Sequence, residues 1–320
     1  MNTPGDTALR PRLIAGQANV ALAESIAARL NVGLVGRTIR RFPDGELHVE
    51  LEDAVRGDVV YVIQPTGPPV DQWIIELLFL ADACRRAGAA GVTAVMPYFG
   101  YARQDRRANG REAVGARLVA DMLAAGGIDR VVAVDLHVVS LEGFFAVPLE
   151  HLTAVPALME RVRPRVSSAS VIVAPDLGAA KLAEHYAQAL QLPAAIVHKR
   201  RITGEEVRVR AIAGDVRGRA PIIVDDMIST GNTIEAASAA LLSAGCQPDF
   251  CVAATHGVLV GGALDRLARI GVRPLIITDS LAIPTAGQPP VEVVSVAPLL
   301  AEAIERLHSR CSLSDLIKHE

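Results

Sequence analysis

Two adjacent carboxylates, Asp225 and Asp226, stand just before a run of small residues, Ser229, Thr230, Gly231, Asn232 and Thr233. Carboxylates accept hydrogen bonds from sugar hydroxyls. Hydroxyls and unobstructed backbone N–H groups at the start of a helix attract phosphate, because free donors and the positive end of the helix dipole meet there. The two chemistries side by side point to a ribose phosphate. Ile222, Ile223 and Val224 favour β structure and 234–242 reads as helix. The segment is therefore predicted to form the end of a strand, project the acids from the sheet's carboxyl edge, where open α/β sheets take ligands, and then turn into a helix. Two acids after a strand also fit a Walker B element or a capped turn with solvated charges. The Walker reading needs a GxxxxGK[ST] loop, and the chain has neither a Gly-Lys dipeptide nor a GxGxxG string.

Other constellations fall at the ends of strand-like runs. PYFGYARQDRR (97–107) gathers Arg103, Gln104, Arg106 and Arg107; guanidinium forks grip phosphate oxygens and Gln can read a purine edge. As composition alone, this is equally a solvated basic loop. His137, in the DLH string, and Asp176, in PDLG, lie in different halves of the chain. An imidazole and a carboxylate could together hold a hydrated Mg2+, which takes few protein ligands and several phosphate oxygens; their two strand ends would then face an interdomain cleft. Alone, His137 reads equally as a packed core histidine. Lys199 and Arg201 open a polar hairpin over 200–210, suited to a lid that neutralises transferring phosphoryl groups and otherwise an ordinary charged surface. RFPDGELHVEL (41–51) is a Pro-Gly turn between strand-like halves, carrying Phe42, Asp44 and Glu46.

The elements that must position these residues alternate between apolar strand-like runs and helical patterns, the mark of parallel α/β architecture. Strands are predicted over 12–16, 58–65, 92–99, 130–137, 170–176, 194–199, 221–227, 250–255 and 274–280. Helices are predicted over 18–30, 71–87, 113–125, 179–190, 233–244, 262–270 and 298–308. The expected fold is α/β, with two similar doubly wound parallel-sheet domains over 1–150 and 151–297, and a C-terminal helix and tail, 298–320, returning to the first.

With 320 residues, 51% of them hydrophobic, the chain is long enough for two such cores. Only 3% is aromatic and the net charge is −3, which argues against nucleic acid held by stacking or phosphate contacts. The N-terminus has no apolar signal-like stretch, and the most apolar helix is interrupted by Glu76 and Asp82, so a soluble, cytoplasmic protein is expected. Cys84, Cys246, Cys251 and Cys311 form no CxxC pair. Cys246, Cys251 and His256 are spaced by five, but a strand from Phe250 would point Cys251 and His256 to opposite faces, against a zinc site.

Taken in order, FPDGE, PYFGYARQDRR, DLH followed by GFF, APDLG, HKRR, VDDMISTGNT and ATHGV resemble the ribose-phosphate pyrophosphokinase (phosphoribosyl pyrophosphate, PRPP, synthetase) family, from about Ile14 to Leu316. VDDMISTGNT is shared with type I phosphoribosyltransferases, so the first-half strings decide between the two. The resemblance implies domains of phosphoribosyltransferase type and transfer of the diphosphoryl group of ATP to the 1-hydroxyl of ribose 5-phosphate, giving PRPP and AMP; a catalytically silent regulatory subunit is the alternative. By matching position, Asp225 and Asp226 bind the ribose hydroxyls and Ser229, Thr230, Gly231, Asn232 and Thr233 the 5-phosphate. His137 and Asp176 serve Mg2+. Arg103 and Gln104, with Phe42, Asp44 and Glu46 of a neighbouring subunit, receive ATP, and Lys199 and Arg201 stabilise the transition state. A homodimer or homohexamer is implied. Ser229 stands where the family commonly has Asp. Ala179 replaces a usual glycine, which puts an added Cβ near metal and sugar. Val139, Glu142 and Asn109 depart from the pattern of phosphate-activated members, although Ser312 and Ser314 remain.

Overall fold

The computed structural model describes residues 10–201, 207–283 and 290–317, and their side chains except over 199–210. Two compact units result. The first comprises the described residues up to Thr153, with Ser280–Ala282 and the chain from Val296 onward; the second comprises Ala154–Asp279 and the described part of Ile283–Ser295.

In the first unit, β1 (Arg12–Ala15) leads into α1 (Val20–Leu30), then the hairpin β2 (Arg37–Arg41) and β3 (Leu47–Leu51), then β4 (Val59–Ile63) and α2 (Val70–Arg86). β5 (Gly91–Met96), α3 (Gly115–Ala125), β6 (Arg130–Val134) and β7 (Leu149–Leu152) complete its run. The five-stranded sheet has the order β1-β4-β5-β6-β7, all parallel. Leu34 makes a parallel bridge to Leu13 on the edge of β1 away from β4. The chain thus steps outward from β1 and returns past it, so the winding reverses between β1 and β4. Burial on both faces accounts for continuous apolar runs such as VVYVI. Ile14, Val60, Val62, Val92 and Ala94 pack in one cluster with α2 and α3. The alternate residues, Leu13, Tyr61 and Ile63, point to the opposite face.

The second unit runs α4 (Val155–Val162), β8 (Ser170–Ala174), α5 (Ala180–Leu190), β9 (Ala194–Arg201), β10 (Val207–Ala213) and β11 (Ala220–Ile228). It continues with α6 (Asn232–Ser243), β12 (Phe250–Gly257), α7 (Ala263–Arg269), β13 (Val272–Thr278) and β14 (Val291–Val294). Its sheet order is β10-β9-β8-β11-β12-β13-β14. Only the edge strand β10 is antiparallel, paired to β9. Here too the winding reverses after the first strand, between β8 and β11. Ile222 and Val224 face α4 and α5, whereas Ile223 faces α6 and α7. The last helix, α8 (Ala297–His308), belongs to the first unit and packs on α1, with His308 6.2 Å from the Tyr61 ring.

The structure therefore has the expected α/β, two-sheet architecture, with differences at the edges. β7 and β14 stand where no strand is predicted. Each is four residues long with charged residues in it, LEHL and VEVV, and each lies at a sheet edge, so neither shows a sustained apolar run. Among the described residues no helix is long and apolar enough to cross a membrane.

Candidate active site

β11 carries the two acids within the strand, in keeping with the run expected over 221–227. It continues to Ile228, because β12 runs beside it through Gly257 and supplies ladder partners as far as Ile228↔Gly257. On its other side, pairing with β8 stops at Ile223. Beyond that point β8 ends and its chain turns away, leaving a gap in the sheet beside Asp225 and Asp226. This gap is the carboxyl end of the two strands at which the winding reverses, the place where open α/β sheets hold ligands.

Asp176 lies at the end of β8 on the other side of the gap. Its Oδ1 accepts the Gly178 N–H at 2.9 Å, shaping the short turn into α5. Asp225 accepts the Asp226 N–H at 3.0 Å. Burial first, then the negative charges of Asp226 and Asp176, push the Asp225 carboxyl well above the ordinary carboxylate range. The carboxylate oxygens gathered around Asp225 are acceptors whose mutual repulsion a sugar's hydroxyls would relieve.

The turn after β11 takes the form expected of a phosphate cradle. Gly231 has φ +78°, a left-handed conformation that glycine adopts without penalty, and caps α6. Ser229, Asn232 and Thr233 are half-buried and Thr230 is exposed. The Leu259 N–H donates to the Ile228 carbonyl and the Val260 N–H to the Ser229 carbonyl, each at 3.0 Å. From α7, Arg266 donates to the Thr230 carbonyl and pairs with Glu235 at 3.1 Å. Neither Arg266 nor Glu235 stands out in the sequence, since nothing local ties a residue of α7 to a turn 36 positions earlier.

The Ala179 methyl, on the short turn between Asp176 and α5, is buried. It is 4% exposed and packs among Val155, Leu158 and Ala183 beneath α5, so its Cβ fills the core. Lys199 and Arg201 lie at the end of β9, opposite Val209 and Val207 of β10; their side chains and residues 202–206 are outside the described set.

In the first unit, His137 follows β6 and is exposed, which excludes the packed-core reading. It is preceded by a buried anchor: the Leu136 N–H donates to His151 Nε2 at 2.8 Å, and Thr153 Oγ1 donates to Asp135 at 2.8 Å. His151 is fully buried, with Nδ1 3.1 Å from Glu142. Arg103 and Gln104 are exposed on the loop after β5. The Gln104 N–H donates to the Tyr101 carbonyl at 2.8 Å, and the Gln104 carbonyl accepts from Ala116 at 3.2 Å. Farther along that loop, Glu112 accepts from the backbone of Ala108 and Asn109 and from the Asn109 side chain, which holds its carboxyl below the usual range.

Phe42, Asp44 and Glu46 are exposed at the tip of the β2–β3 hairpin. The tip is closed by the Phe42 N–H to Glu46 carbonyl bond at 2.9 Å and by Asp44 accepting the Glu46 N–H at 3.1 Å. The Phe42 ring is 41% exposed, edge-on to His48 and under the Arg40 guanidinium, so it offers a flat apolar surface.

The first unit's own reversal point, between β1 and β4, is filled from within. The Gln17 N–H donates to Glu76 at 2.6 Å, the Ala18 N–H to Gln64 Oε1 at 3.2 Å, and Gln64 Nε2 to Glu76 at 3.0 Å. Gln64 sits so close that a Cβ on Gly16 would fall 2.0 Å from its Oε1. The donors that a ligand would seek there are already used. Burial raises the Glu76 carboxyl despite these bonds.

A carboxylate trio facing an amide- and hydroxyl-lined turn, at the winding reversal of a parallel sheet, is the arrangement of α/β proteins that handle phosphorylated sugars. Residues 11–127 match the model of the N-terminal domain of ribose phosphate pyrophosphokinase, and residues 202–318 that of the phosphoribosyl synthetase-associated domain. A ribose-phosphate pyrophosphokinase of Gloeobacter violaceus is 41% identical over 97% of this chain and 93% of its own. That of Rhodopirellula baltica is 42% identical over 96% and 98%. The crystal structure of phosphoribosylpyrophosphate synthetase from Mycobacterium smegmatis superposes with a TM-score of 0.88 at 39% identity, over 94% of this chain and 99% of that one. The chain belongs to the ribose-phosphate pyrophosphokinase family.

Proposed function

We propose that this protein transfers the diphosphoryl group of ATP to the 1-hydroxyl of ribose 5-phosphate, yielding PRPP and AMP. The observation that carries this reading is the open gap beside β11, where paired acids and a phosphate-sized cradle stand at the distance of one turn, in a chain related to pyrophosphokinases over nearly its whole length. Asp225 and Asp226 accept the ribose hydroxyls. The turn from Ser229 to Thr233 holds the 5-phosphate. These contacts fix the sugar so that its 1-hydroxyl can attack the β-phosphorus in line, displacing AMP. Positioning of this kind supplies much of the rate in phosphoryl transfer, which needs no protein nucleophile.

Arg103 and Gln104 receive ATP, with Phe42, Asp44 and Glu46 supplied by a neighbouring copy of the chain in a homodimer or homohexamer. The exposed Phe42 ring suits stacking on a base, and the guanidinium of Arg103 suits a phosphate. Lys199 and Arg201 neutralise charge that spreads over the nonbridging oxygens in the transition state. Among the described residues no cluster of three or more His, Cys, Asp or Glu forms a metal cage. Mg2+ binds mainly through substrate phosphates and one or two protein groups; Asp176 and His137 would hold it. The ion, when bound, supplies charge neutralisation on the phosphates.

The decisive assay is formation of AMP and PRPP from ATP, with ribose 5-phosphate and Mg2+ each omitted in turn. Activity must require both. A protein that makes no AMP but binds ribose 5-phosphate would be a silent subunit, and one that consumes PRPP without ATP a phosphoribosyltransferase.

A further inference from the structure

Three successive carbonyls of the cradle, those of Ile228, Ser229 and Thr230, are all taken by one short stretch of chain. The Leu259 N–H binds the first and the Val260 N–H the second, both at 3.0 Å, and the Arg266 guanidinium binds the third. In a trans peptide the C=O and the following N–H point in opposite directions. Fixing those three carbonyls toward Leu259–Arg266 therefore turns the N–H groups of Ser229, Thr230 and Gly231 to the other side. Successive N–H groups aimed to one side make a concave anion nest.

The third grip differs from the first two. It comes from a side chain, which also neutralises Glu235, an acid in the first turn of α6 that would otherwise repel an anion at that helix start. Arg266 is held for this work: its side chain is 21% exposed, and its Cδ lies 3.7 Å from where a Cβ on Gly231 would stand.

We infer that Arg266 is a positioning residue for the sugar phosphate, acting from behind the cradle without touching the ligand: it orients the Thr230–Gly231 peptide toward the 5-phosphate and cancels the charge of Glu235. This rests on the reading above that the turn binds ribose 5-phosphate. The reactive end of the sugar and the ATP residues are untouched by it, so its loss must weaken ribose 5-phosphate binding selectively.

The test measures steady-state AMP formation by wild type, Arg266→Ala and Arg266→Lys, with each substrate varied. Wild-type dependence on ribose 5-phosphate is established first; its absence would defeat the functional reading itself, whatever Arg266 does. Given that dependence, Arg266→Ala should raise the ribose 5-phosphate KM roughly ten- to a hundredfold, as for a lost charge-assisted hydrogen bond, and leave the ATP KM and kcat within about twofold. Arg266→Lys keeps the charge but not the fork and should fall between the two. Adding Glu235→Gln to Arg266→Ala should recover part of the loss, because the uncancelled acid is gone; a role confined to holding α7 in place would give no such recovery. An unchanged ribose 5-phosphate KM in Arg266→Ala, or an equal rise in both KM values, overturns the inference. Should Arg266→Ala not fold, the KM split in Arg266→Lys decides in the same way.

Discussion

Alanine at Gly231 separates backbone torsion from steric space in the cradle. A Cβ built there meets nothing closer than 3.7 Å, so no neighbour has to move. The φ of +78° is another matter, since an L residue in that conformation sets its Cβ against its own carbonyl at a cost of roughly 1–2 kcal/mol. That free energy must surface in one of two places. If the turn keeps its shape, the second unit melts lower, by roughly 2–8 °C for this cost. If the turn relaxes, its N–H groups leave the phosphate, and the ribose 5-phosphate KM rises roughly five- to thirtyfold. Calorimetric melting and steady-state kinetics on the same preparation measure both, and the two losses together should amount to about 1–2 kcal/mol. Asparagine visits the left-handed region more readily than alanine, so Gly231→Asn should lose less. Equal losses for alanine and asparagine, or a Gly231→Ala protein with both quantities unchanged, would refute the torsional argument.

Lys199→Ala should lower turnover by on the order of a hundredfold with ATP affinity retained, the loss typical of one transition-state donor; unchanged turnover removes the β9–β10 hairpin from the mechanism. Asp225→Asn should stabilise the metal-free protein, with a pH dependence of definite sign. The folded-state value is raised, so as pH climbs past about 3.9 the unfolded chain ionises first and wild type loses stability relative to the amide. The melting advantage of Asp225→Asn should therefore be absent in acid and grow toward neutrality, and an advantage that shrinks with pH contradicts the assignment. Glu76→Ala, which strips the Gln17 N–H and Gln64 of their acceptor, should cost about 2–4 kcal/mol in denaturant melts. Glu76→Gln keeps an acceptor oxygen and should cost far less; similar losses for both would show that side-chain volume, not the hydrogen bonds, matters there.

The strand–acid–turn–helix unit around Asp225 was legible because each of its requirements is local: β-branched residues, adjacent acids, a glycine where φ is positive. The β2–β3 hairpin was legible for the same reason, with its Pro-Gly turn between two apolar-polar halves. What escaped depends on distance along the chain. The grip on Thr230 follows from a side chain in α7, and the filling of the β1–β4 gap from Glu76, 59 residues after the Gln17 N–H it binds. The burial of Ala179 escaped for a related reason. Its neighbours in sequence flank the gap, but as the last residue before α5 its side chain turns inward, which only the packing of α4 and α5 reveals.

The two units share one winding plan yet differ at its reversal, where Gln64 and Glu76 occupy the first unit's gap. Closing a sugar-sized crevice in this architecture thus takes a pair of inward-reaching side chains rather than a new backbone. An engineer wanting a second sugar-phosphate pocket would therefore start by trimming those two residues in the amino-terminal half, where the peptide donors already exist and merely await a guest.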